Sequence, residues 1–177
     1  MARAPRSRTS GAIDRVVVSP DVPSPAAPPR APYDLHLDGR YVFPASPEHV
    51  WATMNRVEEF PNWWGWLKDY RVDGGLTPGG KLHGFVVPPV HYTFLVTINI
   101  HEVEPARHIS AHLTGDLDGR ASVDLRDHPD GCDLTIRWAV EMRKPSLRLA
   151  SHLCKPVIVW AHDHVIDIAA NRFRDAL

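Results

Sequence analysis

The chain has 177 residues, a natural length for one domain, and 44% of them are hydrophobic, which is enough for a sizeable core. Its 20 Lys and Arg residues nearly balance its 21 Asp and Glu residues, so its charge does not favour capture of nucleic acid or anionic lipid. No apolar run reaches the roughly 18 residues of a membrane span, and no signal-peptide core follows the N-terminus. We therefore expect no nucleic-acid partner and no stable membrane anchoring. The two cysteines lack metal-ligand spacing and favour a reducing, cytoplasmic setting.

Residues 1–32 are rich in Pro, Ala, Arg and Ser. Such a composition buries too little apolar surface to offset the entropy of ordering, and it predicts a disordered tail. The short run Val16 to Val18 leaves a second interpretation open, in which the tail adds to a sheet edge or binds a partner. A single folded domain is predicted over residues 33–177.

The domain is predicted to begin with a strand over Leu35 to Phe43, in which Gly39 marks a bulge or a kink. Ser46 is a suitable N-cap for a short helix, and Pro47 suits its first position. The sequence Phe60-Pro61-Asn62 ends that helix, and a second short helix or turn follows over Trp63 to Trp66.

Strands and turns are predicted from Leu67 to Met142. Several segments alternate apolar and polar residues with a period of two, which indicates strands with one buried face. Short connections rich in Gly, Asp and Pro indicate an antiparallel meander, and Asp116 and Asp118 are read as turn formers in the loop 115–119. The predicted strands are Leu67–Val72, Lys81–Val87, Tyr92–Val103, His108–Leu113, Ala121–Leu125 and Leu134–Met142.

The last segment, Pro145 to Leu177, is predicted to form a long amphipathic helix. At about 100° per residue, its apolar stripe contains Ala150, Leu153, Val157, Trp160, Ala161, His164 and Ile168. A kink at Pro156 would shift the phase of everything after it. A twisted antiparallel sheet with one apolar face would bury this stripe by curling around the helix, which predicts an α+β fold.

Several short motifs occur in the order typical of one superfamily. The chain resembles the START / birch-pollen-allergen (SRPBCC) superfamily, in its polyketide cyclase/dehydrase-like branch. This resemblance implies the helix-grip fold, with about seven strands around a long C-terminal helix and a deep cavity for a hydrophobic or aromatic molecule. It implies no single reaction, because one fold hosts many functions. The resemblance rests on Phe43–Trp51, Phe60–Trp64, Glu102–Arg107, Gly131–Ile136, Pro88–Tyr92, Gly115–Gly119 and Trp160–Asp163.

Two residues are candidates for acid/base catalysis in such a cavity. His164 lies within the predicted apolar stripe, where a neutral imidazole oriented by Asp167 or Asn171 could move a proton near neutral pH. The alternative is a core histidine bonded to a backbone carbonyl. Tyr92, in phase with Phe94, could donate a hydrogen bond to a ligand carbonyl. The predicted ligand-binding set is Trp63, Trp64, Trp66, Tyr92, Phe94, Trp138, Leu153, Val157, Trp160, His164 and Ile168.

Metal and cofactor sites are not expected. His162 and His164 point about 200° apart on a helix, so they cannot share one ion. No phosphate-binding loop, dinucleotide fingerprint or nucleophile motif occurs in the sequence.

Three functions stay open at this point. The first is binding of a hydrophobic, aromatic or polyketide-like molecule, with cofactor-free cyclisation or dehydration as its possible chemistry. The second is a non-catalytic carrier or sensor of a lipid-like ligand, and the third is a protein-interaction module of the chaperone-activator kind. The chain is expected to be a monomer or a homodimer.

Overall fold

The computed structural model describes residues 34–87, 93–145 and 155–177, with side chains described from His36 onward except Leu37 and residues 155–163. Seven strands form one antiparallel sheet in the order β1-β7-β6-β5-β4-β3-β2. The strands are β1 Asp34–Phe43, β2 Leu67–Asp73, β3 Lys81–Val86, β4 Phe94–Glu104, β5 His108–Gly115, β6 Leu117–His128 and β7 Gly131–Met142.

The helices flank this sheet in the predicted order. Helix α1 spans Pro47–Met54, a 3-10 turn spans Val57–Glu59 and α2 spans Phe60–Trp63, all between β1 and β2. The C-terminal helix, α3, spans Lys155–Asp175. The helix was predicted to begin at Pro145, and residues 146–154 of that predicted segment lie outside the described part of the chain. The curved sheet and these helices confirm the predicted α+β helix-grip fold.

Helix α1 begins as its sequence predicts. The Ser46 hydroxyl accepts a hydrogen bond from the His49 backbone N–H at 3.3 Å, and Pro47 occupies the first turn. Both features satisfy or avoid the free N–H groups of a helix start. The helix buries Val50 completely against the core.

Strand β1 closes the domain by pairing with the last strand. Its ten residues run antiparallel to β7 in unbroken register, from Asp34 opposite Glu141 to Phe43 opposite Cys132. The prediction of a bulge or kink at Gly39 is therefore wrong. The missing side chain serves another purpose, because the Tyr41 ring occupies the space over Gly39.

The connection between β5 and β6 is shorter than predicted. Only Asp116 lies between the two strands, so the expected loop 115–119 is mostly strand. Gly115 adopts a positive φ of 119°, which allows the reversal. The Asp116 carboxylate accepts a hydrogen bond from the Leu95 backbone N–H at 2.9 Å, and this bond fixes the turn to β4.

The described part of α3 contacts the core through a face different from the predicted one. Ile166, Ala169, Ala170 and Phe173, at spacings of three and four, turn toward the sheet. Phe173 packs edge-to-face on Phe43, with ring centroids 5.2 Å apart. His164 is exposed, as expected about 200° from Ile166, so the predicted stripe is out of phase here. The predicted stripe was centred on Trp160 and left out Ala169, Ala170 and Phe173, which follow it in the sequence.

The described helices include none that is both long and apolar enough to cross a membrane. The predicted disordered tail, residues 1–32, lies outside the described residues.

Candidate functional site

An apolar cavity lies between the inner face of the sheet and the helices. Its volume is about 390 Å³, which falls within the range of about 300–1,000 Å³ typical of small-molecule pockets. Alternate residues of the strands point into it, including Val96 and Ile98 of β4 and Ile136 and Val140 of β7. No Asp, Glu, Lys or Arg lines the cavity among the described residues. The cavity therefore suits an uncharged ligand.

Four of the predicted aromatic residues lie in the cavity wall: Trp64, Trp66, Phe94 and Trp138. Trp64 also donates from its Nε1 atom to the Ala169 backbone carbonyl at 3.3 Å, which joins the wall to α3. Their placement agrees with the predicted ligand contacts, while the contacts themselves stay a prediction.

Trp63 has a different environment. It is 9% exposed and packs in the core, with its ring centroid 5.5 Å from Phe60 and 5.7 Å from Phe173. The Arg56 guanidinium lies 5.2 Å from its ring centroid, a cation–π contact on the outer side. It is absent from the cavity wall because successive residues of a helical turn point about 100° apart. Trp63 thus supports the fold beside the cavity.

Of the predicted ligand-binding residues on the C-terminal helix, the structure describes the side chains of two, and neither lines the cavity. His164 is exposed and does not line the cavity, which contradicts the predicted orientation toward the ligand. Ile168 is half-buried and also lies outside the cavity wall. Tyr92 and Leu153 lie outside the described residues, and so do the side chains of Val157 and Trp160. A catalytic role for His164 or Tyr92 stays a prediction.

Asp167 contacts a residue that the sequence did not single out. The Tyr41 hydroxyl, on β1, lies 3.5 Å from the Asp167 carboxylate on α3. Tyr41 is 3% exposed and lines the cavity with its ring. Asp167 was one of two residues, with Asn171, predicted to orient His164, and its contact with Tyr41 links the sheet to the helix at the cavity wall.

Tyr70 is another cavity residue that the sequence interpretation did not single out. Its ring lines the cavity, and its hydroxyl oxygen is buried without a hydrogen-bond partner among the described residues. Burial, aided by the negative charge of Glu58, raises the pKa of this phenol far above its usual value. Tyr70 therefore stays a neutral hydrogen-bond donor throughout the physiological pH range.

The outer face of the sheet carries polar and charged pairs. Asp124 accepts hydrogen bonds from the His108 Nδ1 atom, at 2.8 Å, and from the Arg137 guanidinium. Partial burial raises the pKa of the Asp124 carboxyl, but these two donors outweigh it and hold that pKa below its usual value. An open groove on this face has His101, His112 and Arg120 in its wall. No cluster of three or more potential ligands suited to a metal ion occurs within the described ranges.

Residues 35–172 match the family model described as polyketide cyclase / dehydrase and lipid transport. A search of curated proteins gave no match.

Solved structures share the fold at low sequence identity. TTHA0849 from Thermus thermophilus aligns with a TM-score of 0.63 at 10% identity, covering 81% of this chain and 95% of that one. Ms6760 from Mycobacterium smegmatis aligns with a TM-score of 0.60 at 16% identity, over 81% and 90% of the two chains. Ara h 8.0201 aligns with a TM-score of 0.53 at 13% identity, over 78% and 97%.

Proposed function

Because the chain belongs to the polyketide cyclase / dehydrase and lipid transport family, we propose that it carries or senses an uncharged, aromatic or polyketide-like molecule in its interior cavity. Its predicted membership of the START / birch-pollen-allergen (SRPBCC) superfamily is confirmed, and the family and fold are those of domains that bind hydrophobic ligands.

One observation carries the proposal, namely the apolar wall of a cavity of about 390 Å³ without a charged side chain among the described residues. Burial of apolar ligand surface in such a site contributes about 25 cal/mol per Å² to the free energy of binding, whereas a charged ligand would lose its hydration without compensation. The wall places Trp64, Trp66 and Trp138 where their rings can stack on a flat molecule.

Binding without chemistry fits the described wall better than catalysis does. An acid/base catalyst needs a group that titrates near the working pH. Tyr70 keeps its proton, and the His83 Nδ1 atom is hydrogen-bonded at 2.7 Å to Thr97, its partner on β4, at a strand position that alternates with the buried Leu82 and Gly84. The protein-interaction alternative needs an exposed apolar patch, and Val87 is the one large hydrophobic residue exposed in the described part of the chain.

A fluorescence titration with N-phenyl-1-naphthylamine, an uncharged probe that brightens in apolar surroundings, tests the proposal. The wild type is expected to bind the probe with saturation at one site. Ala121→Phe should abolish binding, because Ala121 lies on the inner face opposite Trp138 and a phenyl ring there fills the cavity. Ala139→Phe is the matched control, because Ala139 is exposed on the outer face of the adjacent strand.

Equal binding by Ala121→Phe and the wild type would overturn the proposal. Native mass spectrometry of the purified protein provides a second test, in which a carrier retains a small molecule and releases it chemically unchanged. Recovery of a converted product would favour the cyclase or dehydratase alternative instead. A cytoplasmic location and a monomeric or homodimeric state complete the proposal.

A further inference from the structure

Strand β2 contains a bulge that determines which of its residues face the cavity. Lys68 pairs with Phe85 and Arg71 with His83, so three steps along β2 match two along β3. The extra residue is accommodated with Asp69 at a positive φ of 48°, an uncommon conformation for a residue other than glycine.

The consequence of this bulge is the orientation of Tyr70. Leu67 lines the cavity, and strict alternation after it would turn Asp69 and Arg71 inward and Tyr70 outward. With the bulge, Asp69 and Arg71 are exposed, whereas Tyr70 faces the cavity. The backbone strain at Asp69 is thus tied to the placement of a single phenol, and strain of this kind concentrates at functional sites.

The neighbours of Tyr70 hold its ring in this position. The Phe60 ring centroid lies 6.1 Å away, on the side of α2. On the side of β3, Gly84 lies directly against Tyr70, since a Cβ there would be in van der Waals contact with the Tyr70 Cα atom at 3.4 Å and with its Cδ2 atom at 3.5 Å.

Among the described residues, the hydroxyl of Tyr70 has no hydrogen-bond partner, which a buried donor normally has. Its oxygen is closed to solvent, so bulk water does not satisfy it, and no described residue accepts its hydrogen bond. Buried polar groups are nearly always paired, and an exception requires an explanation. Tyr41, the other described tyrosine in the wall, already has Asp167 near its hydroxyl.

We infer that Tyr70 donates a hydrogen bond to a neutral oxygen of the cavity's ligand, such as a carbonyl, which fixes the ligand's polar end beside α2. The inference rests on the proposed function. A ligand reaches the hydroxyl by displacing an apolar neighbour, and the new hydrogen bond offsets that displacement. The acceptor is neutral because Glu58 places negative charge near Tyr70 and no cation lines the described wall.

Two probes of similar size test this inference, measured by displacement of N-phenyl-1-naphthylamine. 2-Acetylnaphthalene carries a carbonyl group, and 2-ethylnaphthalene has a CH2 group in its place. Tyr70→Phe should bind 2-acetylnaphthalene about tenfold more weakly than the wild type, because it removes one hydrogen bond in an apolar site. Its affinity for 2-ethylnaphthalene should stay within about twofold of the wild type. Ala139→Phe, on the exposed outer face of the sheet, is the control, and we expect it to leave the ratio of the two affinities unchanged.

An infrared readout separates a hydrogen bond from a packing effect. The C=O stretch of carbonyl-13C 2-acetylnaphthalene should lie at lower wavenumber in the wild type than in Tyr70→Phe. An equal loss of both probes in Tyr70→Phe, or an unshifted stretch in the wild type, would overturn the inference while leaving the proposed function intact. Failure of the wild type to bind any of the three probes would overturn the proposed function, and this inference with it.

Discussion

The Tyr41 ring lies directly over Gly39 on the cavity face of β1. A Cβ atom on residue 39 would come within 2.9 Å of the Tyr41 Cε2 atom and 3.3 Å of its hydroxyl oxygen. Because Tyr41 is 3% exposed, its ring has little room to move away. Gly39 is therefore required for the position of Tyr41, and through it for the contact with Asp167 on α3.

Gly39→Ala should lower the free energy of unfolding by about 1–3 kcal/mol, the usual effect of overpacking a buried site. Chemical denaturation with urea measures this change. Gly65→Ala is the control, because a Cβ at residue 65 would meet no atom within 4 Å. If the two variants lost the same stability, steric conflict with Tyr41 would be excluded as the cause.

Alternation along the strands made most of the sheet predictable from the sequence. Each hairpin strand repeats its apolar residues with a period of two, so Phe94 and Trp138 were assigned to the inner face correctly. Local exceptions to that period were not predictable in the same way. In β2, the apolar residues Leu67, Tyr70 and Val72 are spaced by three and then two, and only a bulge places all three on one face.

The face of α3 that contacts the sheet was harder to predict, because the residues that form it give only a weak apolar pattern. Trp160 and His164 suggest one stripe, whereas Ile166, Ala169, Ala170 and Phe173 form another, about 200° away from His164. Small residues such as Ala169 and Ala170 add little to an apolar pattern, yet they allow the helix to approach the sheet closely. One residue of the sequence did indicate the correct face, namely Phe173, the bulkiest apolar residue after Trp160.

The two helix faces can be distinguished by ligand affinity. Ile166→Ala should weaken binding of N-phenyl-1-naphthylamine by about three- to tenfold, because Ile166 lines the cavity and its truncation removes apolar contact. His164→Ala, on the exposed face, should leave the dissociation constant within about twofold of the wild type. Fluorescence titration measures both, with far-UV circular dichroism to verify folding. A larger loss of affinity in His164→Ala than in Ile166→Ala would indicate that the predicted stripe, and not the Ile166 face, contacts the ligand.

The Asp124 cluster on the outer sheet face predicts a pH dependence of stability. The pKa of Asp124 is lower in the folded protein than its usual value, so its stabilisation is fully present above about pH 4 and is lost as the pH falls through the lowered pKa. Asp124→Asn should be less stable than the wild type by about 1 kcal/mol at pH 7. Because the carboxylate of the wild type is protonated at lower pH, this difference should shrink below about pH 4.

Urea unfolding at pH 7, 5 and 3 measures the effect. Asp127→Asn provides a matched control on the same strand, since Asp127 is exposed. It should show a smaller difference from the wild type at every pH. A difference for Asp124→Asn that stayed constant from pH 7 to pH 3 would contradict the assigned role of its ionised carboxylate.

The effect of ligand charge on affinity tests whether a cationic group reaches the cavity. 2-Naphthoate has nearly the shape of 2-acetylnaphthalene but carries a full negative charge at pH 7. An apolar wall without a cation in its described part cannot repay the loss of hydration of a carboxylate, and Glu58 adds repulsion near Tyr70. We expect 2-naphthoate to displace N-phenyl-1-naphthylamine at least about a hundredfold more weakly than 2-acetylnaphthalene does. Equal displacement by the two would show that a cationic group reaches the bound ligand, and would favour a carrier of fatty-acid-like molecules over one of neutral aromatic molecules.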